Sequence, residues 1–321
     1  MLLIKVVNER YLKRNIAQET QRQYGGLLAK EEFAWPPYNA DLRRGFYLNH
    51  AVTPSERQQG RKPRDIWMEG ASHFDELKGG RIYDLGTSSG YFMQQLLDRG
   101  HRGELIGVDT ADSHLQLLEG RLRNDYDHPA IWLKKGDAGK LKDVPSSSAD
   151  GASGLFLAYH MPKPYNLFEE THRIVKNGGL VEFGSRETDN LMNAWQMAQV
   201  VATAHNASMP KENFYVNCPW SEVKEFMQHS SYFEVVAEIE QDETIYVPDT
   251  DEGWSDMRNV ILSYLDLMRD RSTQRRLAST DVLDFIEGVI RPEYFEPLAS
   301  IYKGYFPDHV HQGIVVARAI K

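Results

Sequence analysis

The segment Arg81-Ile-Tyr-Asp-Leu-Gly-Thr-Ser-Ser-Gly-Tyr91 constrains this chain more than any other. An apolar run ends in an acid, a glycine-bounded turn follows, and a helical pattern opens at Tyr91. Gly86 and Gly90 carry no side chain, so backbone N–H groups in the turn can come close to a ligand. The next strand pattern, Leu105-Ile-Gly-Val-Asp109, also ends in an acid, and so does the approach to the turn Gly136-Asp137-Ala138. Acids at three successive strand ends suggest a clamp for a nucleoside.

A dinucleotide fingerprint would read G-x-G-x-x-G, with a pyrophosphate on the helix N-terminus. Here the turn is Gly86-Thr87-Ser88-Ser89-Gly90, and Asp84 stands two residues before the first glycine. A carboxylate at that place repels a pyrophosphate and suits an ammonium group. Asp109 lies at the spacing of an acid that bonds a ribose hydroxyl pair. The ligand so described has an ammonium end, a ribose and a base, and no phosphate. S-adenosylmethionine fits, and a nicotinamide dinucleotide does not.

The order of these motifs resembles the class I S-adenosylmethionine-dependent methyltransferases. Asp84-Leu-Gly86-Thr-Ser88-Ser-Gly90 matches the family's first motif, acid-x-Gly-x-Gly-x-Gly, with Ser88 in place of the middle glycine. The resemblance implies that Asp84, Gly86, Thr87, Ser88 and Gly90 hold the methionine part of the cofactor. It implies that Asp109 bonds the ribose, that Thr110 lies near the adenine, and that Asp137 and Ala138 read the adenine edge. Ala149-Asp-Gly-Ala-Ser-Gly-Leu-Phe-Leu-Ala-Tyr-His-Met-Pro162 resembles the fourth strand and the loop after it, and places Leu157 at the cofactor. Glu169 to Phe183 resembles the helix, the Lys-x-Gly-Gly turn and the fifth strand. The resemblance covers residues 80–186 and returns over 220–241.

From Gly80 to Phe183 the patterns alternate between strand and helix, which predicts α/β architecture. The expected fold is a doubly wound, mostly parallel, seven-stranded sheet of Rossmann-like methyltransferase type, with helical lid insertions. The expected organisation is a helical cap over 1–75, a cofactor-binding core over 76–188, an insert helix or lid over 189–219, and a core helix with strand six over 220–241. A helical lid insertion over 242–310 and a last core strand over 311–321 complete it. A helix is expected around Asn8 to Lys30, and a structural turn at Trp35-Pro-Pro-Tyr38. The extra segments hold many aromatics, among them Tyr47, Trp67, Trp195, Tyr215, Trp254 and Tyr264. Each reads first as core packing, and as a group they suit a lid over an organic acceptor.

The chain carries 37 Lys and Arg against 46 Asp and Glu, a formal net charge of −9. That balance argues against a nucleic-acid partner held by phosphate neutralisation. A single cysteine, Cys218, excludes a disulfide framework and a thiolate metal cluster, and no metal is expected. No run approaches a membrane span, and the start is charged too early for a signal peptide, so a cytoplasmic protein without a membrane partner is the expectation. A homodimer is compatible with the sequence.

Methyl transfer from a sulfonium is an in-line displacement in which positioning supplies much of the rate. An oxygen or nitrogen acceptor must also lose a proton. His160, just beyond the fourth strand, titrates in the useful range and is the candidate catalytic base; a loop histidine without a catalytic role is the plainer alternative. Arg186 and Glu187 follow the fifth strand and could meet a polar acceptor. The expected activity is O- or N-methylation of a small molecule in secondary metabolism, with C-methylation next. A protein or RNA methyltransferase, for which Arg269, Arg271, Arg275 and Arg276 are the only hint, and a member that binds the cofactor without transferring methyl are the alternatives.

Overall fold

A computed structural model describes residues 46–52, 54–126, 130–187, 191–205, 218–267 and 280–321. The helix expected near Asn8–Lys30, the turn at Trp35–Tyr38, Tyr215 and the arginines 269–276 lie outside the described residues. The chain divides into two compact units. One draws on the described parts of Arg64–Asn190, Asn213–Glu243 and Val310–Lys321, and the other on those of Met1–Pro63, Leu191–Glu212 and Thr244–His309.

Seven strands form one sheet: β1 (Ile82–Leu85), β2 (Leu105–Asp109), β3 (Ile131–Lys135), β4 (Ala149–Leu155), β5 (Val175–Arg186), β6 (Phe233–Pro248) and β7 (Tyr305–Ala319). Their order is β3-β2-β1-β4-β5-β7-β6. The first five pair in parallel, and β7 lies antiparallel to β5. Strand order reverses at β1, so β1 and β4 flank the switch point where a doubly wound sheet opens a crevice for ligand. β1, β2 and most of β4 are buried, as strands covered on both faces must be. Helices Tyr91–Asp98, Asp112–Asp125, Tyr165–Ile174 and Trp220–His229 connect the strands. Tyr165–Ile174 shows the mechanism of burial: Leu167, Phe168, Thr171 and Ile174 recur every three or four residues and turn inward. Phe168 meets Phe183 of β5 edge-on at 4.9 Å and stacks on Phe226 at 4.7 Å.

Strands β6 and β7 run longer than their sequence patterns suggest. The segment read as a helical insertion over 242–310 carries strand at both ends, to Pro248 and from Tyr305. The polar run Glu240-Gln-Asp-Glu243 hid the continuation of β6. Gln241 is buried there because Gln312 of β7 donates to its side-chain oxygen at 2.8 Å, satisfying an inward polar group across the strands.

The second unit holds the helices Met192–Ala204 and Asp251–Leu267 and a helical run from Thr280 to Ile301. Within that run Ile286–Phe295 winds as a π-helix around Pro292, which cannot donate the bond that an α-helix needs. The aromatics of this unit form core: Trp195 meets Tyr264 at 5.3 Å, Trp254 meets Phe295 at 5.1 Å, and Phe295 stacks on Phe306 at 5.1 Å. Asp308 is buried and accepts backbone N–H bonds from Asn193, Ala194 and His309, so it caps the helix Met192–Ala204. No helix among the described residues is long and apolar enough to cross a membrane.

Candidate active site

The turn between β1 and the helix Tyr91–Asp98 is built from three left-handed residues, Gly86 at φ 70°, Ser88 at φ 46° and Gly90 at φ 76°. At Gly86 a Cβ would lie 2.8 Å from Leu157 Cδ1, and at Gly90 another would lie 2.2 Å from Leu118 Cδ1. Both glycines are therefore demanded by backbone angle and by space. Ser88 adopts a left-handed angle that favours glycine, at a cost of about 1–2 kcal/mol.

Hydrogen bonds fasten the turn to the end of β2. The N–H groups of Gly86 and Thr87 donate to the Val108 carbonyl at 2.8 and 2.9 Å. The Ser88 N–H donates to Asp109 Oδ2 at 2.9 Å, and the Ala111 N–H donates to Asp109 Oδ1 at 2.9 Å. His114 Nδ1 stands 3.6 Å from the same carboxylate. Burial alone would raise the Asp109 carboxyl, but the His114 imidazole and the two backbone donors outweigh it and hold the group below its ordinary value. Asp109 Oδ1, with Ala111 as its donor, keeps a second lone pair, which a ribose hydroxyl could use. The Asp109 carbonyl accepts from the Gly136 N–H at 2.9 Å, tying in the loop after β3.

The predicted residues take different places in this arrangement. Asp84 lies beneath the turn, where its carboxyl accepts from Thr87 Oγ1 at 2.7 Å. It is buried, and desolvation pushes it up to about 7 against the opposing bond from Thr87. Asp84 thus braces the turn through Thr87. Leu157 packs on Gly86. Thr110 is exposed at the end of β2. Asp137 is exposed too, and its carboxylate accepts from the Gly139 N–H at 2.9 Å, while Ala138 beside it is buried. These contacts hold the β3 loop in shape.

His160 sits in a short 3-10 turn, Ala158–His160, that follows β4. It is half-buried, with its ring 3.9 Å from the Tyr159 ring. Arg186, at the end of β5, lays its guanidinium over the other ring partner, Tyr159, at 4.3 Å. The contact joins the ends of β4 and β5 beside the candidate base.

Sequence reading missed a buried polar row beneath this site. Register places Asp84 of β1, Ser153 of β4 and Glu182 of β5 side by side. Ser153 Oγ donates to Glu182 Oε2 at 3.1 Å. Glu182 is fully buried, and desolvation pushes its carboxyl up to about 8. Its signal was present in the sequence: one acid inside the apolar run Leu180-Val-Glu-Phe183.

Comparison with known proteins identifies a domain within the chain. Residues 83–183 match the family description "Methyltransferase domain". The chain carries a class I methyltransferase domain. This domain, from β1 to β5, contains the turn, Asp109 and His160, and its class takes S-adenosylmethionine as cofactor. An uncharacterised chloroplastic methyltransferase of Arabidopsis thaliana is 25% identical over 37% of this chain and 34% of its own length. A ubiquinone biosynthesis O-methyltransferase of Idiomarina loihiensis is 26% identical over 42% of this chain and 52% of its own. A tRNA U34 carboxymethyltransferase of Alteromonas mediterranea is 26% identical over 52% of this chain and 47% of its own. The chain therefore spans between a third and about half of the length of the curated relatives it matches. A solved Bacillus halodurans structure, described as that of a candidate methyltransferase, superposes with a TM-score of 0.50 at 12% identity, over 79% of this chain and all of its own, and shares the fold.

Proposed function

We propose that this chain is an S-adenosylmethionine-dependent methyltransferase whose acceptor is a small organic molecule, methylated at oxygen or nitrogen. The observation that carries the cofactor reading is the Ser88–Asp109 bond within a left-handed turn that only glycines at 86 and 90 permit. Gly86, Thr87, Ser88 and Gly90, with Asp84 beneath them, would hold the methionine end of the cofactor, Asp109 its ribose, and Thr110, Asp137, Ala138 and Leu157 its base. The bound cofactor supplies an electrophilic methyl on a sulfonium, a good leaving group. The chain then has to align the acceptor and take up its proton. His160 fits the second task by its place after β4 and its partial exposure.

The formal charge of −9 supports a small acceptor, since a phosphate backbone would be repelled. The printed activity of the Idiomarina relative, an O-methyltransferase of ubiquinone biosynthesis, points the same way. The name of the Alteromonas relative, a tRNA-modifying enzyme, gives a second reading with RNA as acceptor. Calorimetry with S-adenosylmethionine, S-adenosylhomocysteine and a nicotinamide dinucleotide tests the cofactor. Binding of the first two alone is expected, and binding of the dinucleotide alone would overturn the reading. Transfer of a labelled methyl group into either a small-molecule extract or bulk tRNA then separates the two acceptors.

A further inference from the structure

Glu182 stands in the middle of β5, inside the sheet, and has no exposed surface. Oε2 has Ser153 as its partner, whereas Oε1 is buried with no hydrogen-bond partner among the described residues. Oε1 fills the place of a missing side chain: a Cβ on Gly70 would lie 1.9 Å from it. Gly70 belongs to the helix Ile66–Ser72, so the helix rests directly on this carboxyl.

The same helix reaches both segments that flank the cofactor turn. Trp67, one turn before Gly70, stacks on Phe156 at 4.6 Å and meets Tyr91 edge-on at 5.5 Å. Phe156 follows β4 in a left-handed conformation, φ 53°, which a bulky residue adopts only when its surroundings impose it. Tyr91 is the first residue of the helix after Gly90, and its hydroxyl donates to Asp65 Oδ2 at 3.2 Å. Any lift of the helix Ile66–Ser72 from the sheet would therefore act on both sides of the turn.

We propose that Glu182 is a positioning residue for the cofactor turn: its buried carboxyl seats Gly70 on the sheet, and the helix so seated holds Trp67 and Asp65 against Phe156 and Tyr91. The proposal rests on the reading of the Asp84–Gly90 turn as a cofactor site. The groups that face Glu182 are Asp84 from β1, Ser153 from β4, Gly70 from the helix, and Val316 and Ile314 from β7. Among these there is no base, and Asp84 is an acid. A proton removed from Glu182 therefore leaves a buried charge with no compensating cation, beside a second carboxyl. The carboxylate then draws in water or moves, and the contact with Gly70 gives way. Desolvation sets this change in the mildly alkaline range, about 8.

The test uses the full chain as wild type, E182Q and G70A. Peptide-level hydrogen exchange, expressed as protection factors, follows residues 66–72 without ligand between about pH 6.5 and 9.5. Calorimetry follows S-adenosylhomocysteine affinity over the same range. In the wild type we expect protection of 66–72 to fall and affinity to weaken at least about tenfold as pH rises. E182Q keeps the shape of the carboxyl without its charge, so it should match wild type at the acid end and stay level. G70A should show the displaced helix at every pH. An E182Q profile that follows the wild type would overturn the proposal and shift the effect to Asp84. Flat wild-type protection would overturn it too. Failure of every variant to bind S-adenosylhomocysteine would sink the cofactor reading instead, and the exchange data would still decide whether Glu182 seats the helix. If G70A does not fold, the wild type and E182Q comparison is sufficient.

Discussion

The Ser88 N–H donates to the Asp109 carboxylate at 2.9 Å, so the turn after β1 and the end of β2 form one hydrogen-bonded unit. A ligand that binds Asp109 is thereby placed against the turn, and a change at either residue is felt by both. Ser88 adopts a left-handed angle and keeps its N–H on Asp109.

Asp109→Ala removes the acceptor for Ser88 and Ala111 together with the proposed ribose contact. A hydrogen bond to a charged group is worth about 1.5–3 kcal/mol, so S-adenosylhomocysteine affinity should fall by roughly tenfold to a hundredfold. Calorimetry at neutral pH reads this directly. Unchanged affinity would remove Asp109 from the cofactor site.

The turn makes opposite demands at neighbouring positions. Gly90→Ala puts a Cβ 2.2 Å from buried Leu118 at φ 76°, and should destabilise the domain by about 1–3 kcal/mol through crowding and backbone strain. Ser88→Gly relieves the left-handed strain, about 1–2 kcal/mol, against a smaller gain of about 0.4–1 kcal/mol in unfolded-chain entropy. It should be at least as stable as wild type. Urea midpoints of the two variants should move apart, and a clear loss of stability in Ser88→Gly would contradict the strain argument.

The parts of this site that were legible in the sequence are those made by local punctuation. Acid, glycine and serine at fixed offsets announce the turn from Asp84 to Gly90, and the same logic finds Asp109. What stayed hidden depends on register between distant segments. Glu182 becomes meaningful only when pairing sets it beside Ser153 and Asp84 and when Gly70 falls upon it. The aromatics of the insert segments could not be sorted by sequence, since Trp195 or Trp254 reads the same in a core as in a pocket wall, and here both are buried in core. The end of β6 was lost because Gln241 is polar, and its partner Gln312 lies on another strand.

His160→Ala should lower turnover while cofactor affinity stays within about twofold, because His160 lies after β4 and away from the turn's hydrogen bonds. Loss of a general base costs about a hundredfold or more where one is used. The pH profile of the residual activity is the sharper measure. Loss of the limb near the histidine range would assign the proton to His160, and an unchanged profile with full turnover would make it a loop residue.

Stability should fall as pH rises above the ordinary carboxylate range, because three buried acids hold their protons more tightly when folded. Asp84 is pushed up to about 7 and Glu182 to about 8, each chiefly by desolvation. Asp308 is pushed up to about 7 by desolvation despite its three backbone donors. For a raised carboxyl the contribution is complete below the unfolded value, 3.8 for Asp and 4.5 for Glu, and is lost as pH climbs through the folded value. Each tenfold difference in proton affinity corresponds to about 1.4 kcal/mol. Asp109 and Glu170 act in the opposite sense. Asp109 is held down by His114 and backbone donors against its burial, and Glu170 is held down first by Arg173, so their contribution is lost as pH falls below the ordinary carboxylate range. The melting temperature should therefore be highest near the ordinary carboxylate values, at about pH 4 to 5, fall as pH climbs to about 8, and level off above that. E182Q should flatten that decline, and its advantage over wild type should grow with pH. A wild-type melting temperature that does not fall between about pH 5 and 8 would show that these acids are ionised in the folded protein and that the buried row is held by something other than its protons.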